Sequence, residues 1–136
     1  MSARARAVLS TAGVLLLAGC GGDVGGAPSL LVPPAEFAAA VSPLGTVTID
    51  VHVPDEGSIQ GTDLSIPFDQ IEGRSDELPD VGTPLAVYCR SGRMSAEAVE
   101  TLRKLGYRDI VELRGGMIAW EADGRLLLPP KASGED

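Results

Sequence analysis

Short apolar segments of strand character alternate with segments of helical spacing along most of the chain, and this alternation limits the fold more than any other feature. Strands are predicted at residues 46–53, 64–66, 84–88 and 110–113. Helices are predicted at residues 35–41, 95–105 and 117–122, with a further short helix within 68–78. Because strands that alternate with helices are usually parallel and covered by those helices, we expect an α/β fold with a small, mostly parallel sheet and helices on both faces.

Size and charge narrow the functional classes. The chain has 136 residues, which is enough for one domain, and a formal net charge of -8. An acidic surface argues against nucleic acid as a partner and against attraction to anionic lipid. One histidine and two cysteines form no recognisable zinc set, so we expect no metal and no other cofactor. A monomer is the default expectation.

The first residues have the order of a bacterial export signal. Arg4 and Arg6 precede an apolar run over residues 7–18. This run is shorter than the roughly 20 residues that a membrane-spanning helix needs. The tetrapeptide LAGC that ends at Cys20 closely resembles a lipobox. We therefore interpret residues 1–19 as a lipoprotein signal peptide and Cys20 as a lipidated N-terminus, on the extracytoplasmic face of the cell membrane. The alternative, a buried core helix, is disfavoured by the terminal position and the flanking charges.

Residues 20–34 are predicted to be a flexible tether, because they are rich in glycine and end in paired prolines. Lipidation at Cys20 would leave Cys89 as the free thiol. A free thiol in an exported protein is unusual, since such proteins usually pair their cysteines.

Cys89 ends a predicted strand, and a short loop leads from it directly into a helix. Ligands of parallel α/β sheets bind at this edge, beyond the carboxyl ends of the strands. Backbone N–H groups of such a loop, with the helix N-terminus, form an anion site that also stabilises a thiolate. The predicted anion-binding residues are Arg90, Ser91, Gly92, Arg93, Met94 and Ser95. The alternative for Cys89 is a small buried apolar residue at a strand end.

Residues 88–120 resemble the C-terminal half of rhodanese domains. The matching features are a strand that ends in Cys-Arg-Ser-Gly, then a helix, then Gly-Tyr and a strand, and finally Gly-Gly before an apolar residue and Trp120. Residues 48–51 match the first strand of that family, and the resemblance extends over about residues 34–125. It implies a rhodanese-like domain over residues 35–128, followed by a tail over 129–136.

The resemblance implies a sulfurtransferase. Cys89 would take one sulfur atom from thiosulfate or from a low-molecular-weight persulfide and pass it to a thiophilic acceptor. Backbone N–H groups of residues 90–95 would stabilise the anionic states. As in the family, Asp50 would support a strand end by hydrogen bonding.

Three positions depart from the family pattern. Met94 stands where the family loop commonly has arginine, which puts a preference for thiosulfate in doubt. His52 stands where an arginine is common, and Ser58 replaces a histidine in a shortened loop.

Two other functions also use a cysteine in a loop of this kind. A rhodanese fold without rapid turnover could bind an anion or sense oxidation through Cys89. A cysteine phosphatase or arsenate reductase of the related fold typically has arginine six positions after the cysteine. That position is Ser95 here, which argues strongly against this function.

Overall fold

The computed structural model describes residues 29–132. The predicted signal peptide, the lipidation site at Cys20 and the last four residues of the predicted tail lie outside this range. The strands are β1 (Leu30–Val32), β2 (Val47–Asp50), β3 (Leu64–Ser65), β4 (Leu85–Tyr88) and β5 (Ile110–Leu113). The helices are α1 (Pro34–Val41), α2 (Arg93–Lys104) and α3 (Gly116–Ala122), with a 3-10 turn at Ser75–Glu77.

The five strands form one sheet in the order β1-β5-β4-β2-β3, and all four neighbouring pairs are parallel. Parallel strands require crossover connections, and α1 connects β1 to β2 while α2 connects β4 to β5. The predicted α/β class is confirmed, with a sheet that is parallel throughout.

Side chains of the central strand β4 alternate between two apolar clusters. Leu85 and Val87 lie in the cluster that α2 covers, together with Leu102. Ala86 and Tyr88 lie in the opposite cluster, which α1 and α3 cover. Helices therefore lie on both faces of the sheet, as predicted, and β4 is apolar on both sides because neither of its faces meets water.

The tether prediction is wrong for its last residues. Leu30–Val32 form β1, and this strand pairs with Val111–Leu113 of β5 at the edge of the sheet. Pro34 is the first residue of α1, a position where proline costs no hydrogen bond. A three-residue strand has no recognisable periodicity of its own, and it exists here because β5 offers a free edge.

Two further predictions are corrected. The strand predicted to reach residue 53 ends at Asp50, because the chain turns there to form the next loop. Residues 68–78 contain turns and the 3-10 segment rather than an α-helix.

The beginning of the predicted tail and the residue before it bind to the loop that follows β2. Leu128 forms an antiparallel bridge with Ser58, and the Lys131 N–H donates to Asp55 Oδ2 at 3.1 Å. The shortened loop after Glu56 is thus closed by the segment that follows α3. No helix within residues 29–132 has the length and apolar character to cross a membrane.

Candidate functional site

Cys89 follows β4 directly, at the carboxyl edge of the sheet, and its side chain is buried. It is a free cysteine. Its Sγ accepts a hydrogen bond from the Gly92 N–H at 3.0 Å. A backbone N–H directed at sulfur stabilises an anion there, whether a thiolate or a persulfide.

The loop after Cys89 is shorter than predicted, because α2 begins at Arg93 rather than at residue 95. Gly92 is the N-cap and has a φ of 110°, which residues with a side chain rarely adopt. The tight turn at Gly92 brings the N-terminus of α2 beside the sulfur. The positive end of the helix dipole then favours negative charge on Cys89.

The Gly-Gly turn before α3 holds this loop from the other side. The Met117 N–H donates to the Cys89 carbonyl at 2.9 Å, and the Ile118 N–H donates to the Arg90 carbonyl at 3.0 Å. A Cβ on Gly116 would overlap the backbone of Cys89 and Arg90. The first N–H groups of α3, which have no partner within their own helix, thus fix the backbone that carries the nucleophile.

Ser95 and Glu112 lie behind the sulfur. Ser95 Oγ is 3.5 Å from Cys89 Sγ and donates to Glu112 Oε1 at 2.7 Å. Burial raises the pKa of Glu112, and the hydrogen bond from Ser95 partly opposes this shift. Sequence reasoning singled out Ser95 but not Glu112. The signal was available, since an acidic residue interrupts an otherwise apolar strand, IVEL.

The cationic side chains of the loop differ in their surroundings. Arg90 is partly exposed, and its guanidinium lies 3.6 Å from the carboxylate of Glu56. Glu56 also pairs with His52. Arg93 is exposed at the start of α2. Glu56 therefore links the loop after β2 to the loop after β4.

The two remaining loop positions differ in exposure. Ser91 is exposed, whereas Met94 is half-buried and packs against the apolar cluster under α2. A contribution of Met94 to anion binding would come from its backbone N–H.

Asp50 lies at the end of β2, paired in the sheet with Tyr88. Its Oδ1 accepts the His52 N–H at 2.9 Å. Burial raises the pKa of Asp50 to about 6, and the hydrogen bond from His52 opposes this shift. Together with His52 and Lys131, Asp50 lines a cleft of about 200 Å³ to which Cys89 does not contribute. The structure thus places Asp50 at the sheet edge that carries Cys89 but in a separate cleft.

Within residues 29–132, no group of three His, Cys, Asp or Glu side chains is arranged to hold a metal ion.

Comparisons with known proteins show the family of this chain. A family model described as a rhodanese-like domain matches residues 33–123. A sulfurtransferase of Allochromatium vinosum is 35% identical over 86 residues, which are 61% of this chain and 78% of that protein. The thiosulfate sulfurtransferase PspE of Escherichia coli is 37% identical over 73 residues, which are 51% of this chain and 68% of PspE.

A solved structure shows the same fold. The crystal structure of a rhodanese-related protein from Thermoplasma volcanium superposes with a TM-score of 0.61 at 27% identity. The superposition covers 73% of this chain and 97% of that chain.

Proposed function

Since the chain belongs to the rhodanese-like domain family, we propose that it is a sulfurtransferase that carries sulfane sulfur as a persulfide on Cys89. The observation that carries this proposal is the hydrogen bond from the Gly92 N–H to Cys89 Sγ at the N-terminus of α2. This environment suits a sulfur nucleophile that is anionic before and after the transfer.

The reaction has two displacement steps. The Cys89 thiolate attacks the sulfane sulfur of the donor, so that an S–S bond forms at Sγ and the bond to the donor's leaving group breaks. With thiosulfate the leaving group is sulfite, which departs with the bonding electron pair. A thiolate or another thiophilic acceptor then attacks the outer sulfur of the persulfide, and Cys89 leaves as the thiolate.

The fixed backbone explains how the loop assists these steps. The carbonyl groups of Cys89 and Arg90 are held by α3, so the loop keeps the Gly92 N–H directed at the sulfur. Donors that are already in place need no reorganisation when negative charge moves between the inner and outer sulfur atoms.

The charges around the loop favour a donor of low charge. Glu56 lies beside Arg90 and competes with an anion for that guanidinium. Met94 provides an apolar side chain that packs into the core. Cys89 is 1% exposed, so a donor must be small or slender to reach Sγ. We expect a low-molecular-weight persulfide to be used more efficiently than dianionic thiosulfate.

The test is an intact-mass measurement on the full chain with Cys20→Ala, so that Cys89 is the cysteine observed. Incubation with cysteine persulfide, which carries less charge than thiosulfate, or with thiosulfate itself should add one sulfur atom, and cyanide should remove it. The matched Cys89→Ser variant should gain nothing. If no sulfane donor adds sulfur to a folded protein, the transferase proposal fails, and anion binding or redox sensing at the same loop becomes the better explanation.

We further propose that Cys20 carries a lipid and that the domain acts on the extracytoplasmic face of the cell membrane. The LAGC motif and the preceding apolar run support this. In bacterial cells that make the full chain, Cys20→Ala should move the protein from the membrane fraction to the soluble fraction. Retention of the variant at the membrane would contradict the proposal.

A further inference from the structure

The Cys89 sulfur is one end of a buried chain of polar atoms that continues to a carboxyl group on the neighbouring strand. Sγ lies 3.5 Å from Ser95 Oγ, which lies 2.7 Å from Glu112 Oε1. Ser95 is fully buried and Glu112 is 7% exposed. An ionised carboxyl group is costly to bury. The negative charge of Glu112 would also lie close to the negative charge that Cys89 Sγ carries as a thiolate.

The serine between the two groups has a single hydroxyl proton. While Glu112 is ionised, it accepts that proton, and Ser95 Oγ can then accept a hydrogen bond from the Cys89 thiol. Once Glu112 is protonated, its own O–H can donate to Ser95 Oγ. The Ser95 hydroxyl is then available to donate to a sulfur anion. Both arrangements satisfy all three groups.

We propose that Glu112 is a positioning residue that takes up, through Ser95, the proton that leaves Cys89 when the sulfur becomes anionic. This inference rests on the proposed function, in which Cys89 is the nucleophile. The thiol proton passes to Ser95 Oγ while the serine proton passes to Glu112. The electron pair of the S–H bond stays on sulfur, and the total charge of the three groups remains the same.

The constant charge is the physical advantage. Two negative charges in one buried site repel strongly, so a thiolate next to ionised Glu112 would be unfavourable. The relay removes one charge as the other forms. Burial raises the pKa of Glu112, which makes this carboxylate a better proton acceptor than an exposed one.

Ser95 is the polar side chain in contact with the Glu112 carboxyl. Ser95 Oγ also lies 3.1 Å from the Gly92 carbonyl, a neutral acceptor that competes less well for the serine proton than a carboxylate does. The neighbours of Glu112 in the sheet are Leu31 of β1 and Val87 of β4, both apolar. The charged residue of the first turn of α2, Arg93, is exposed. Burial and the hydrogen bond from Ser95 are the influences on its pKa.

The pH profile of Cys89 alkylation by iodoacetamide tests the proposal in the full chain with Cys20→Ala. In the parent, the alkylation rate should change little with pH over a range below the main midpoint, because the thiol proton passes there to Glu112 instead of to solvent. In Glu112→Gln, which cannot take up the proton, the rate should fall by about tenfold for each unit that the pH is lowered over the same range. Glu112→Asp should keep the flat region, and Glu100→Gln, which makes the same charge change at an exposed position of α2, should leave it unchanged.

Ser95→Ala separates the relay from a direct effect of charge. If the proton passes through Ser95, Ser95→Ala should abolish the flat region although Glu112 keeps its charge, and adding Glu112→Gln to Ser95→Ala should then change the profile by less than half as much as it does in the parent. A parent rate that falls steadily with pH throughout, or a flat region that survives Ser95→Ala, would overturn the proposal.

A measurement without substitution at residue 112 covers the case in which Glu112→Gln does not fold. The ¹³C signal of the Glu112 carboxyl group should move in the pH range in which alkylation titrates, and Cys89→Ser should abolish that movement. A signal indifferent to Cys89 would refute the relay. Alkylation requires no sulfur donor, so these results are independent of whether the protein forms a persulfide.

Discussion

At the residue scale, Asp50 has a consequence for stability that depends on pH. Burial raises the pKa of its carboxyl group from 3.8 to about 6. Between these values the folded state holds a proton that the unfolded state has lost. The stability contributed by this group therefore falls as the pH rises through that window, and the loss is complete above about pH 6.

Asp50→Asn should remove this pH dependence, because the amide is neutral and its oxygen can still accept the His52 N–H. We expect the free energy of unfolding to rise by roughly 1–3 kcal/mol at pH 7, with little difference from the parent below about pH 4. Urea denaturation at several pH values from 4 to 7 measures this. An equal slope in both proteins would show that Asp50 is ionised at no cost.

Gly116 is a second residue with a testable role, because an added Cβ atom there should lower the stability of the fold. It has a φ of 59°, and a Cβ there would overlap the backbone of the Cys89 loop. Gly124 has a φ of 78° but no atom within 4 Å of an added Cβ, which makes it a matched control.

Gly124→Ala should cost about 1 kcal/mol, which is the penalty for a left-handed residue with a side chain. Gly116→Ala should cost about 3 kcal/mol or more, because the overlap adds to that penalty. It should also slow persulfide formation by disturbing the loop. Chemical denaturation and intact-mass kinetics report the two effects, and equal costs at the two glycines would contradict the proposed role of Gly116.

At the scale of elements, the sequence predicted α1, β4 and β5 closely, because each has a local pattern of apolar residues and a clear boundary. It missed β1 because this strand has three residues and follows a glycine-rich segment. It placed the start of α2 two residues late, because the first turn, Arg93 and Met94, has no apolar periodicity. These errors lie where pairing and capping decide the structure rather than local preference.

The docking of β1 can be tested with two matched truncations. Val32 is buried against the cluster that contains Phe37, whereas Leu30 is 62% exposed in the same strand. Val32→Ala should lower the free energy of unfolding by about 1–2 kcal/mol, and Leu30→Ala by less than about 0.5 kcal/mol. Thermal or urea denaturation of the full chain measures these changes. If neither substitution changed the free energy of unfolding, the tether would extend to α1.

At the scale of the whole molecule, the net charge of -8 opposes an anionic donor. The repulsion is long-range and is screened by salt, with a Debye length of about 10 Å at 0.1 M. The rate constant for persulfide formation from thiosulfate should therefore rise with ionic strength between about 0.02 and 0.2 M. Alkylation of Cys89 by the neutral reagent iodoacetamide is the control, and its rate should not change with ionic strength. A thiosulfate rate that falls with salt would mean that Arg90 and Arg93 dominate the approach of the anion.

The sequence by itself determined the α/β class, the position of Cys89 at a strand end and the short loop that leads from it into a helix, because these depend on neighbouring residues and on local periodicity. Tertiary structure alone decided that Glu112 contacts Ser95, although the two residues are 17 positions apart in the chain, and that Gly116 packs against the backbone after Cys89. Both contacts follow from the pairing of β4 with β5 and from the return of the chain into α3. Strand order and register are set by burial across the whole sheet, so no local pattern in the chain encodes them.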